Sequence, residues 1–268
     1  MIKHSDCKLD IEAIKKYIDD DVVIAPYIYN NIEQYGLDNE NVDSWVEYEN
    51  GIIIAVYLRY FSCVHIYTKD YDINSLIKRV ASGILGLKPT TIMVGTKNKE
   101  FKSCELNSYS LDKEIIYYKT KQDYFRSKYV VTEGKEEDIF AIAQLMYNDA
   151  LYKSIYNDIY DIKRQLTDRY NAGYGKLYII KQNDDIIAFC AINASTDKFS
   201  IVGSLVVDKC FRKMGYANAV IGKAWNDILT SKKMIIDMIS EDNNASKMLH
   251  IKNGFCECGY MYKYRLQH

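Results

Sequence analysis

The chain has 268 residues, 48% of them apolar, with 35 Lys and Arg against 36 Asp and Glu for a formal net charge of −1. This composition excludes wholesale disorder and gives no overall basic surface for sequence-independent nucleic-acid binding. The length fits one large domain or two ordinary ones. The longest clean apolar run is Ile52–Leu58, far short of the ~18 residues of a membrane span. The N-terminus lacks a hydrophobic leader, so no signal peptide and no membrane association are expected. Seven cysteines suit reduced thiols in a cytoplasmic protein better than a disulfide framework. Cys256 and Cys258 have no second pair to complete a zinc set, so they read as strand cysteines and no metal is expected.

In chain order, Ile11, Ile14 and Ile18 mark an amphipathic helix, and a second helix runs from Pro26 to Tyr35. Strands follow at 44–49 and 52–60, joined by Asn50-Gly51, a strong hairpin signal. A strand at 61–68 leads to a helix striped by Ile73, Leu76, Ile77, Val80 and Ile84. Short strands at 90–94 and 115–119 complete the first half.

The second half opens with a strand at 128–132 and helices at 136–148 and 157–170. A hairpin follows, 177–181 with 186–191, and then a strand at 199–207. Ala217, Val220, Ile221, Ala224 and Ile228 stripe a helix. A strand at 234–239, a helix at 245–252 and a strand at 260–265 end the reading. The element order thus repeats once, and the polar stretch 122–128 divides the copies into domains 1–122 and 123–268. The fold class is α/β in the mixed α+β sense, each half a mostly antiparallel mixed sheet flanked by helices.

The chemically informative stretch is Ser204–Ala217, S-L-V-V-D-K-C-F-R-K-M-G-Y-A. An apolar strand ends at Val207, and Arg212-x-x-Gly215-x-Ala217 opens a helix. The first turn of a helix has unpaired N–H groups and a dipole that favours anions. Small residues at 215 and 217 let a phosphate approach the backbone. Alone the motif is short enough to occur by chance, as a helix start with small packing residues.

A second motif lies beyond the next strand: Asn243-Asn244-Ala245-Ser246-Lys247-Met248-Leu249-His250-Ile251-Lys252-Asn253-Gly254-Phe255. Together, [QR]-x-x-G-x-[GA] and N-x-A-x-x-x-L-Y-x-x-x-G-F, in this order and separation, resemble the GNAT superfamily of N-acetyltransferases over residues 128–268. The resemblance implies a central strand ending near Val207 that splays from the strand at 234–239, with acetyl-CoA as cosubstrate in the cleft. It implies that the backbone of Leu205, Val206 and Val207 pairs with the pantetheine arm, one N–H polarising the thioester carbonyl. Arg212, Lys213, Met214, Gly215, Tyr216, Ala217 and Asn218 would wrap the pyrophosphate, and Asn243 would contact the pantetheine arm.

The family's proton-donating Tyr is His250 here, a group that titrates near neutrality and would protonate the departing thiolate. A His that merely fills the site is the alternative. The family's common Glu, five residues before Asn243, is Met238, which leaves Glu241 and Asp208 as candidate bases. The implied activity is direct acetyl transfer to a primary amine on a small molecule or peptide. An acyl-CoA-binding or regulatory module is the alternative. Aminoacyl transfer from charged tRNA would need a basic face that the charge balance does not indicate.

The first half lacks the phosphate turn. Its corresponding segment, Lys69-Asp70-Tyr71-Asp72, is acidic and glycine-free, so residues 1–122 read as a degenerate GNAT-like half without cofactor binding. The acceptor side is expected along 149–174, rich in Tyr and Asp. That pattern reads first as a core helix with a solvated acidic face, and second as a pocket for a cationic amine.

Overall fold

The computed structural model describes residues 1–5, 8–37, 39–120, 124–231 and 233–267. The expected break at 122/123 falls outside them, as does His268. The elements are β1 (Ile2–His4), α1 (Lys8–Ile18), α2 (Pro26–Tyr35), β2 (Val42–Glu49), β3 (Ile52–Tyr60), β4 (Cys63–Tyr67), α3 (Ile73–Ala81), β5 (Thr91–Thr96) and β6 (Tyr109–Lys119). There follow β7 (Thr132–Glu133), α4 (Ile139–Tyr147), α5 (Ala150–Ile155), α6 (Ile159–Asn171), β8 (Leu177–Gln182), β9 (Asp185–Ser195) and β10 (Phe199–Val207). The chain ends with α7 (Tyr216–Thr230), β11 (Met234–Ser240), α8 (Asn244–Lys252) and β12 (Cys256–Leu266).

The chain forms two compact units, Met1–Tyr118 with Met238–His268, and Lys119–Asp237. This differs from a division into 1–122 and 123–268, because β12 pairs antiparallel with both β5 and β6 and carries residues 238–268 into the first unit. Strand partners are chosen by nonlocal pairing, which the local sequence pattern does not encode.

In the first unit the sheet order is β1-β2-β3-β4-β5-β12-β6. The β2–β3 hairpin turns through Asn50 at φ 51° and Gly51 at φ 80°, the two left-handed residues of a tight hairpin turn. On one face α3 buries Leu76, Ile77 and Val80 against Tyr57, Ile66, Ile92, Val94, Tyr262 and Tyr264. Burial of each such apolar side chain contributes about 1.5–3 kcal/mol. Gly95 is needed for close approach: a Cβ there would lie 2.0 Å from the carbonyl oxygen of Ile24.

In the second unit the order is β11-β10-β9-β8-β7. Helices α4 and α6 bury Ile142, Met146, Ile162 and Leu166 against Leu177, Ile179, Phe189, Ala191 and Val206. Helix α7 buries Val220, Ile221, Ala224, Trp225 and Ile228. The Trp225 indole N–H donates to Asp237 Oδ2 at 3.0 Å. No helix of the described residues is long and apolar enough to cross a membrane.

Candidate functional site: an anion cradle beside a bulged strand

The parallel pairing of β10 with β11 runs from Phe199↔Met234 to Val202↔Asp237. Beyond it, β10 continues through Val207, paired on its other side with β9. The β9 ladder is itself broken between Gly203↔Ala191 and Val206↔Phe189. Ser204 and Leu205 therefore stand opposite Cys190 alone, and Ser204 takes a left-handed φ of 55°. A bulge of this kind turns backbone groups out of the ladder, where they are available to a bound molecule. Leu205, Val206 and Val207 lie on this stretch, Val206 buried in the core and its neighbours half-buried.

The turn after β10 is built by local bonds. Asp208 accepts the Cys210 amide on Oδ1 at 2.8 Å, and its carbonyl accepts the Phe211 amide at 2.9 Å. Asp208 is thus a turn-closing residue. Arg212 is extended; its Nε donates to the Val207 carbonyl at 3.1 Å and its Nη2 to Asp149 Oδ2 at 2.8 Å. Lys213 and Gly215 are both left-handed, at φ 63° and 94°. Alternation with left-handed residues curls successive N–H groups toward one side, an anion-binding concavity. Gly215 is the N-cap of α7, and no side chain caps that terminus. The amides of Tyr216, Ala217 and Asn218 open the helix, and the Ala219 amide makes its first backbone bond, to the Gly215 carbonyl at 3.1 Å.

Tyr129 steadies the turn. Its hydroxyl donates to the Met214 carbonyl at 2.7 Å, and its ring lies 4.3 Å from that of Tyr216, centroid to centroid. A Cβ on Gly215 would meet the Tyr129 ring at 3.6 Å. Sequence reading missed Tyr129, which belongs to no spaced motif, and put Asp149 on the acceptor segment, not at this turn. In the first unit the corresponding helix, α3, is different. Asp72 caps it, its carboxylate accepting the Asn74 amide at 3.0 Å, so that helix start carries its own anion.

The remaining predicted residues lie in the first unit. Asn243 caps α8, its Oδ1 accepting the Ser246 amide at 3.1 Å. Glu241 is exposed and paired with Lys113 Nζ at 2.7 Å. That hydrogen bond also raises the Lys113 ammonium above the usual lysine range.

His250 is fully buried, with Tyr117 at 5.8 Å and Phe255 at 4.9 Å between ring centroids. Its Nδ1 lies 2.8 Å from the Ser246 carbonyl oxygen. A carbonyl only accepts, so Nδ1 carries a proton and donates it there. The ring packs between Tyr117 and Phe255, with Nδ1 turned back onto its own helix.

No protein-family profile and no curated protein matches this chain. Solved structures do. An acetyltransferase of the GNAT family from Colwellia psychrerythraea is 12% identical with a TM-score of 0.63, covering 100% of both chains. A tandem GNAT protein from the clavulanic acid biosynthesis pathway is 9% identical with a TM-score of 0.60, covering 98% of both. A GCN5-related N-acetyltransferase from Sphaerobacter thermophilus is 13% identical with a TM-score of 0.60, covering 98% of this chain and 95% of that one. The chain therefore has the GNAT fold, with two GNAT-like halves.

Proposed function

We propose that the chain is an acetyl-CoA-dependent N-acetyltransferase acting on a primary amine, with its cosubstrate bound by the second unit. The observation that carries this reading is the uncapped, glycine-started helix α7 directly after the bulged end of β10. The residues fit a pyrophosphate: small side chains at 215 and 217, a curled backbone and open first-turn amides. Arg212 to Asn218 hold the pyrophosphate in this reading, Arg212 chiefly by fixing the turn. The backbone of Leu205, Val206 and Val207 aligns the pantetheine arm as an added strand aligns on an open edge. A bulge amide at Leu205 or Val206 donates to the acyl carbonyl oxygen as negative charge develops there. Bound acetyl-CoA supplies an activated acyl group, a thioester open to attack by an amine. Asp208 and Glu241 are retained as the carboxylates whose removal is to be tested.

A non-catalytic acyl-CoA-binding module is the second reading. The buried His250 with its Nδ1 proton committed to Ser246 favours it, together with Met238 in the position where the family often has Glu.

The test is calorimetric titration of acetyl-CoA into the wild type and Gly215→Glu, followed by thiol release with a panel of amines. Binding by the wild type alone, with thiol release on an amine, supports the transferase. Binding without turnover supports the second reading. No binding by either protein overturns both.

A further inference from the structure

We propose that the first unit binds a single small anion, of chloride size, in a cavity between the start of α2 and the β4–β5 pair, with His65 as its buried donor. The site lies wholly within that unit and does not depend on the transferase reading.

Strands β4 and β5 are the parallel pair of the first unit, in register from Cys63↔Thr91 to Ile66↔Val94. The chain entering α2 closes over them. Ile24 packs onto Gly95 so tightly that a Cβ there would lie 2.0 Å from its carbonyl oxygen. The space left is a cavity of about 10 Å³ for the centre of a water-sized sphere, room for one small particle. The first turn of α2, from Pro26 to Ile28, lines it together with His65, Met93 and Met261. Among the described residues, no carboxylate lines this cavity.

Two independent features set the charge of the occupant. The first is the helix start. Ala25, the N-cap of α2, offers no side-chain acceptor, and Pro26 begins the helix. Among the described residues its first backbone bond runs from the Tyr29 amide to the Ala25 carbonyl at 3.2 Å. The Ile28 amide thus belongs to the open first turn, where the helix dipole favours negative charge.

The second feature is His65, only 6% exposed. Its Nε2 lies 3.6 Å from Cys63 Sγ, and among the described residues its Nδ1 has no hydrogen-bonding partner. Burial pushes the Cys63 thiol up to about 12, so it stays protonated and can donate to Nε2, which leaves the ring hydrogen on Nδ1. Burial first, then Lys263, pulls His65 down to about 3. The ring is therefore a neutral N–H donor. A buried donor without an acceptor is costly, and an anion in the cavity supplies the acceptor. The occupant is small because the space is, and singly charged because no cation lines the cavity among the described residues.

The experiment follows the imidazole resonances of the full chain by NMR. The chain has four histidines, His4, His65, His250 and His268, and loss of a signal in His65→Leu assigns the ring of interest. Sodium chloride is titrated against sodium sulfate at matched ionic strength. Chloride should move the His65 resonances along a saturating curve, and sulfate should not. Chloride should also raise the melting temperature along the same curve. His65→Leu should weaken that affinity about 10-fold or more, with His65→Asn, which keeps an N–H, in between. No saturating shift, an equal shift in sulfate, or a chloride effect that survives His65→Leu overturns the proposal. Should neither variant fold, wild-type crystals grown with bromide decide: an anomalous peak in the cavity sustains the site, and a cavity that is empty or holds water overturns it.

Discussion

The carboxylate of Asp149, at the start of α5, holds the guanidinium of Arg212 at 2.8 Å. The two residues are separated by 63 positions in the chain and meet where the anion cradle begins. The same guanidinium reaches the Val207 carbonyl at 3.1 Å, so the ion pair ties α5 to the end of β10 and the turn after it.

Asp149→Ala should therefore loosen the turn without removing any residue that would contact the cosubstrate. The pair is partly exposed, and such pairs contribute about 0.2–1 kcal/mol. Acetyl-CoA affinity should fall by up to about 5-fold, read by calorimetry, with thermal stability nearly unchanged. A loss as complete as that of Gly215→Glu would show that Asp149 does more than hold Arg212.

For His250 the expectation concerns pH. A histidine acting as general acid would make the rate fall as pH rises through about 6.5. A limb that disappears in His250→Asn assigns the acid role to this buried ring; a profile unchanged in that variant leaves the ring to packing. His250→Ala deletes a buried ring and should cost about 2–4 kcal/mol in stability. His250→Asn, which keeps an N–H donor, should cost less. Thermal melts and pH–rate profiles of the two variants check both statements.

In the first unit, Glu47 accepts bonds from Arg79 at 2.8 and 3.1 Å and from the Tyr57 hydroxyl at 2.5 Å. Burial pushes the Glu47 carboxyl up, but the Arg79 and Tyr57 bonds outweigh it and leave it below the ordinary glutamate value. A depressed folded value means stabilisation that is full above the unfolded value of about 4.3 and lost as pH falls through the folded one. The melting temperature should drop on acidification below about pH 4.3, and Glu47→Gln should flatten that drop. Arg79→Met leaves the buried carboxylate without its cation, at a cost of about 3 kcal/mol at neutral pH. Melting curves between pH 3 and 7, roughly the range that brackets these carboxyl titrations, test the wild type and both variants.

Much of the fold is legible in the sequence where the signal is local. The strand at 199–207 and the Asn50-Gly51 hairpin coincide with β10 and the β2–β3 turn. The helix at 26–35 and the helical stripe from Ala217 to Ile228 coincide with α2 and α7. Strand β6 reads short, as 115–119 instead of Tyr109–Lys119, because Asp112, Lys113 and Glu114 interrupt its apolar run. Helix α5 is too brief to show a period, and the expected strand at 128–132 shrinks to Thr132–Glu133. At the site, the motif points to the turn, but Asp149 and Tyr129 act on it from 63 and 85 residues away. Glu241 and His250 were chosen for their chemistry. What each of them bonds, a lysine 128 residues distant and a carbonyl one helical turn back, is visible only in space.

The insertion of β12 between β5 and β6 bears on how the chain is made. Both neighbours emerge from the ribosome long before residues 256–266 exist, and each needs β12 to fill its hydrogen-bonding edge. Neither edge can receive β12 until residues 119–237 have been synthesised. Order of synthesis and order of completion are thereby reversed: the half that begins first is sealed last, and a chaperone met during translation would find its exposed edges at that gap.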